Sequence, residues 1–179
     1  KRGDGLYCMI TGNHDCKRTS FNLNDKERKL AFAFLLTMPG APFIYYGDEI
    51  GMMYRWTPTK EGGYHRTGSR TPMQWDDSHA AGFTTGTPWL APPENYRRIN
   101  AKAQMGDEAS VRAFYKKLVA LRKALPVISE GKIEFILRDD PQLLAYRRYT
   151  ENSQMLVLCN LTGENAGVTL PEGWKKATI

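Results

Sequence analysis

The stretch from Leu6 to Gly47 constrains the fold most, because two short apolar runs there flank one capped helix. Leu6 to Thr11 ends on a β-branched residue and halts at Gly12-Asn13, which reads as a buried strand delivering the next residues to a loop. Asn24 precedes Asp25-Lys26-Glu27, an N-cap with a glutamate three positions on. The helix it opens is apolar almost all round from Leu30 to Met38, so burial on several sides is expected. Pro39-Gly40 ends it. Pro42 to Gly47 reads as a second buried strand. Strand, helix and strand in so short a span favour a βαβ unit and a parallel sheet.

From Asp48 to about Pro93 the chain is rich in Gly, Thr, Pro and aromatics and poor in periodicity. So long an irregular segment is usually functional or disordered. The cluster Met73-Gln74-Trp75-Asp76 and the aromatics Tyr64, Phe83 and Trp89 argue for order. Val111, Phe114, Tyr115, Leu118, Leu121, Arg122 and Leu125 then give an amphipathic helix, stopped by Pro126. After Gly131 the pattern changes. Lys132–Leu137, Leu143–Tyr149, Met155–Leu161 and Gly167–Leu170 are short alternating runs between polar turns, as in antiparallel strands of a small all-β unit. The boundary is placed near Ser129 to Gly131, dividing residues 1–130 from residues 131–179.

Composition excludes several classes. No apolar stretch approaches the roughly 18 residues a membrane helix needs. The net charge of +6 comes from scattered cations, with Lys116, Lys117, Arg122 and Lys123 expected on a solvated helix face. A nucleic-acid partner is therefore not expected. Cys8, Cys16 and Cys159 are an odd number without C-x-x-C spacing, so neither a disulfide framework nor a metal site is expected, and the thiols are read as reduced. The opening Lys-Arg, without methionine or an apolar leader core, suggests a segment of a longer chain.

Gly12-Asn13-His14-Asp15 sits where the first strand runs out into a loop. In a (β/α) barrel that is the face on which catalytic groups converge. An aspartate there can set negative charge against a developing positive one, and the histidine beside it can bond a sugar hydroxyl. Alone, Asn-His-Asp is a weak signal, equally at home in a polar turn. The set that follows is far more specific: Arg18, then MPGAPFIYYGDEIGM, then a loop ending SRTPMQWDD, then HAAGFTTGTPW and NYRRINAKAQ.

This ordered set resembles the α-glucosidase, oligo-1,6-glucosidase and trehalose synthase branch of the α-amylase superfamily, glycoside hydrolase family 13, over nearly the whole chain. The resemblance implies an α/β plus all-β fold: the last two βα units of a (β/α)8 TIM barrel, then an incomplete antiparallel β-sandwich. It implies a retaining glycoside hydrolase acting on an oligosaccharide or small α-glucoside. It makes Asp15 the transition-state-stabilising catalytic carboxylate and His14 a ligand of the same sugar ring. Arg18 matches an arginine that helps line the pocket, and Arg66 one that binds the terminal sugar. Arg70, four residues on, would brace the loop; the intervening residues are Thr67-Gly68-Ser69 where the family has Asp-Asn-Ala. Glycoside cleavage passes through a cation-like sugar, which preorganised charge in a water-shielded pocket stabilises. An arginine fork beside Asp15 would hold its carboxylate in place.

Asp48-Glu49, at the end of the second run, tempts an acid–base assignment, but a structural or peripheral role is expected. Tyr45 and Tyr46 are read as packing, Tyr64 and Trp75 as either sugar-facing or core, and His65 and His79 as loop residues. Cys16 has no local pattern that would make it a nucleophile. A retaining glycosidase needs a nucleophile and an acid. In the resembled family both lie upstream of this segment, as do the usual calcium sites, so no cofactor is expected within it. The segment alone is therefore expected to be inactive and, with open strand edges, to self-associate. The alternatives are a trehalose synthase-type glucosyl isomerase or transferase, or a non-catalytic accessory subunit. A carbohydrate-binding module is disfavoured, because the β runs show no spaced, exposed tryptophans.

Overall fold

The computed structural model describes residues 5–56, 66–170 and 174. Strand β1 (Cys8–Ile10) leads through a polar loop to helix α1 (Asp25–Thr37), which returns the chain to strand β2 (Ala41–Phe43). The two strands pair in parallel, Cys8 opposite Ala41 and Ile10 opposite Phe43. α1 begins with the capping box its sequence signals. Asn24 Oδ1 accepts from the backbone of Lys26 and Glu27, and the Glu27 carboxylate accepts from the Asn24 backbone at 2.7 Å. Those bonds satisfy amides that no earlier turn can reach.

Burial of the strands differs from expectation. Met9 and Ile44 pack under α1, but Ile10 and Phe43, paired on the opposite face, are 51% and 56% exposed. Side chains alternate across a strand, so α1 covers one face and nothing among the described residues covers the other. Apolar runs alone do not reveal which second layer is supplied.

α1 and helix α2 (Val111–Ala124) share the main core, built from Phe32, Leu35, Leu36, Val111 and Leu118. Between β2 and α2 the chain runs through short 3-10 turns, one of them Asp48–Ile50. Gly47, just before it, has a φ of 84° and lies against Met52, whose side chain a Cβ would strike. Ile50, Met52 and Met73 form a second, smaller core that orders this loop. Pro126 does not simply stop α2; it occupies the first turn of helix α3 (Pro126–Glu130), where a missing amide costs nothing.

Strands β3 (Lys132–Ile136), β4 (Leu143–Tyr149) and β5 (Gln154–Asn160) then make an antiparallel sheet in that order. The fourth run, Gly167–Leu170, forms no strand; among the described residues it finds no ladder partner. Tyr64 and His65 lie outside the described residues.

Two arginines join the sheet and α2 to the end of α1. Arg148, fully buried on β4, donates to the carbonyls of Thr37 (2.8 Å), Lys132 (3.2 Å) and Gly131 (2.5 Å). Arg122, expected on a solvated face, instead donates to Leu36, Met38 and Gly40 at 2.6–2.9 Å. A helix C-terminus exposes carbonyls with no helical partner, and cations satisfy them. Tyr146 adds a 2.5 Å hydroxyl contact to Thr37. Burial pushes its phenol up to about 12, so it stays protonated. No helix among the described residues is long and apolar enough to cross a membrane.

Candidate active site

The parallel pair extends one residue past β1, where the Thr11 amide bonds the Phe43 carbonyl at 3.1 Å and the Thr11 hydroxyl accepts from Tyr45 N at 2.9 Å. Beyond it the chain turns. Asn13 Oδ1 accepts the Asp15 amide at 2.8 Å, so an Asx turn presents His14 and Asp15 outward. The Asp15 side chain is 47% exposed.

Two arginines and a histidine converge on one oxygen of that carboxylate. Arg70 Nη2 donates to Asp15 Oδ1 at 2.8 Å, while Arg66 Nη1 lies 3.5 Å and His14 Nε2 3.6 Å from the same atom. Arg70 also donates from Nε to the His14 carbonyl at 3.0 Å. One guanidinium thus holds both the backbone and the carboxylate of the loop, a task for which its planar fork is suited. Among the described residues Oδ2 has no such partner and keeps its capacity to accept from a sugar hydroxyl. Sequence reasoning kept Arg70 for bracing the loop. It does brace it, and it also makes the shortest contact with Asp15. Nothing in the spacing of Arg66 and Arg70 distinguishes the two.

Arg18 is placed elsewhere than the resemblance implies. It is 2% exposed, beneath the loop rather than on a pocket wall. Its guanidinium donates to the carbonyls of Tyr46 (2.5 Å) and Ser69 (3.0 Å) and lies 4.7–5.0 Å from the Tyr45 and Tyr46 rings. Asp48, fully buried, is 3.7 Å from it. Aromatic faces, carbonyls and one carboxylate account for the burial of this cation.

Asp48 sits in the interior and Glu49 on the wall of a groove. Burial raises the Asp48 carboxyl above its ordinary value, against the Thr11 hydroxyl and the Arg18 charge. Burial also raises Glu49, and the neighbouring Asp48 adds to it. The groove, of about 460 Å³, is lined by Tyr46, Glu49, Arg70 and Thr71 with the apolar Pro72, Met73, Trp75, Phe83, Trp89 and Leu90. Trp75 is 53% exposed and faces this groove rather than the core. Arg70 is shared between the groove and the Asp15 cluster. His79 Nε2 lies 3.3 Å from the Gly86 carbonyl, within its own loop.

The family described as "Alpha amylase, catalytic domain" matches residues 2–131. The chain belongs to the α-amylase family. Among its curated relatives, the trehalose-6-phosphate hydrolase of Bacillus subtilis (strain 168) is 36% identical, over 99% of this chain and 38% of its own length. The oligo-1,6-glucosidase of Parageobacillus thermoglucosidasius is also 36% identical, over 95% of this chain and 36% of its own. The chain therefore spans a little over a third of the length of these enzymes. Among solved structures, an inactive double mutant of MutB in complex with isomaltulose superposes with a TM-score of 0.83 at 33% identity, over 96% of this chain and 37% of that one. A mutant trehalose-6-phosphate hydrolase from Bacillus licheniformis gives 0.80 at 30% identity, over the same shares. A parallel strand pair with its helices, then an antiparallel sheet, fits a portion of an α-amylase-family barrel followed by a β domain.

Proposed function

We propose that this chain is the C-terminal portion of a retaining α-glucosidase-type glycoside hydrolase acting on small α-glucosides or α-glucan oligosaccharides. β1 and β2 correspond to the seventh and eighth barrel strands, and β3–β5 open the C-terminal β domain. Asp15 is the carboxylate that binds sugar hydroxyls and stabilises the cation-like transition state. His14 and Arg66 bind the same sugar. Arg70 aims Asp15, and Arg18 supports the loop from below. The observation that carries this reading is the convergence of Arg70, Arg66 and His14 on Asp15 Oδ1, in an exposed loop at the end of a parallel strand. Sugar-binding charge held in advance is what an oxocarbenium-like transition state requires.

The nucleophile and the acid come from the rest of the enzyme, and any calcium site lies there too. The 179-residue chain on its own is inactive and self-associates through the uncovered face of β1 and β2. No nucleic acid or membrane takes part. A panel of p-nitrophenyl α-glucoside, isomaltose and trehalose 6-phosphate, offered to the whole protein and to this chain alone, tests the reading. The whole protein should release glucose or p-nitrophenol from at least one of them, and the chain alone from none. Turnover by the isolated chain would refute the proposed division of catalytic groups.

A second reading is favoured by the similarity to the trehalulose synthase MutB. In it the same Asp15 cluster stabilises the same transition state, but the glucosyl group passes to a sugar instead of to water. Product analysis separates the two, because an isomerase returns a rearranged disaccharide where a hydrolase returns monosaccharides.

A further inference from the structure

The loop that carries Asp15 is tied to itself chiefly through Asn13, whose Oδ1 accepts from the Asp15 amide at 2.8 Å and from the Cys16 thiol at 3.2 Å. His14, Asp15, Cys16 and Lys17 are all exposed, and the Cys16 amide reaches the Asn13 carbonyl only at 3.4 Å. Among the described residues, two consecutive side chains supply every hydrogen bond that residues 13–17 make beyond their own turn. Arg70 reaches the His14 carbonyl and Asp15, and the Ser69 hydroxyl donates to the Cys16 carbonyl.

Ser69 is fully buried, so a ligand does not reach its side chain directly. Its carbonyl accepts from Arg18 Nη2 and from the Tyr45 hydroxyl, each at 3.0 Å, and from the Tyr46 hydroxyl at 3.4 Å. Tyr45, its phenol pushed up to about 12 by burial and by Tyr46, stays a donor in this contact. Arg18 in turn holds the Tyr46 carbonyl. The Asp15 loop, the chain leaving β2 and the loop carrying Arg66 and Arg70 therefore meet at one serine.

We propose that Ser69 is a positioning residue, which fixes the separation between Asp15 and the arginines that face it. The proposal rests on the reading that Asp15 serves the transition state. With the hydroxyl gone, Arg70 still pairs with Asp15, but the loop can drift outward, and the pair drifts with it. Misplacement of a preorganised charge penalises the transition state more than ground-state binding.

The test is Ser69→Ala in the whole protein, a change that removes one buried oxygen. Two readouts are taken: kcat and KM on the best p-nitrophenyl or disaccharide substrate, and backbone hydrogen exchange of the peptide covering residues 12–18. The expected result is kcat lower by about tenfold, KM much less affected, and faster exchange confined to residues 12–18 and 66–70. An unchanged kcat, or faster exchange spread over β3–β5 as well, overturns the proposal. Asp15→Asn serves as the control for the functional reading itself. If wild type turns over no glucoside and Asp15→Asn binds ligands as wild type does, that reading fails. The exchange measurement then decides alone whether Ser69 ties the loop.

Discussion

Replacing Arg148 by methionine keeps a long side chain in the space between α1, α3 and β4 but deletes a guanidinium that makes three hydrogen bonds. Those bonds run to the carbonyls of Thr37, Lys132 and Gly131, and the side chain has no exposed surface. Hydrogen bonds from a charged donor contribute about 1.5–3 kcal/mol each, so about 5–9 kcal/mol of contacts is lost. Part of this returns, because a buried cation without a carboxylate partner costs several kcal/mol in desolvation. Burial, and after it the nearby Arg122, lower the Arg148 pKa, which is the sign expected of that penalty. The net expectation is a loss of about 3 kcal/mol. In urea, with a slope of about 2 kcal/mol/M, the unfolding midpoint should fall by about 1.5 M. Hydrogen exchange should quicken at the C-terminal turn of α1 and along β3 and β4, which Arg148 joins. If Arg148→Met unfolds at the wild-type midpoint or above it, the desolvation cost outweighs the carbonyl bonds, and the arginine is no clamp.

Three further outcomes follow from the geometry. Arg70→Lys cannot hold the His14 carbonyl and Asp15 Oδ1 at once, so kcat of the whole protein should fall on the order of tenfold or more; wild-type kcat would place Arg70 outside the machinery. Gly68→Ala would set a Cβ against the Arg55 carbonyl and, at 2.6 Å, against the Tyr54 ring, so a loss of about 1–3 kcal/mol is expected in thermal unfolding. An unshifted midpoint would show that the loop yields freely. Glu49→Gln should flatten the dependence of stability on pH. A carboxyl raised in the folded state binds more protons folded than unfolded, so stability falls as pH rises from the ordinary value of about 4 through the raised one. Superimposable profiles for variant and wild type would contradict this.

Local chemistry made part of the fold readable. Asn24 and Glu27 announce the start of α1 because a capping box is satisfied within four residues. The strand–helix–strand order around α1 and the three strands of the β unit follow from the same short-range patterns. Properties set by distant partners were not readable. The exposed Ile10 and Phe43 depend on what lies across the strand pair, which no run of apolar residues encodes. Gly167–Leu170 alternates like a strand, yet a strand exists only where a neighbour completes its ladder. Arg122 looks like a solvated cation until the C-terminus of α1 is placed beside it. In the site, the motif around His14 and Asp15 marked the loop on which Arg66 and Arg70 converge. The burial of Arg18 against Tyr46, 28 residues on, and the tie from Ser69 to the Cys16 carbonyl, 53 residues back, join positions far apart in the chain.

The central claim is that the Asp15 carboxylate meets a developing positive charge on a sugar ring. Calorimetric titration of the whole protein and its Asp15→Asn variant with glucose and with a cationic analogue, 1-deoxynojirimycin, tests it most directly. Loss of the charge should weaken the cation by about 3 kcal/mol or more, roughly a hundredfold, while glucose binding changes far less. Equal weakening of both ligands, or none, would contradict the account.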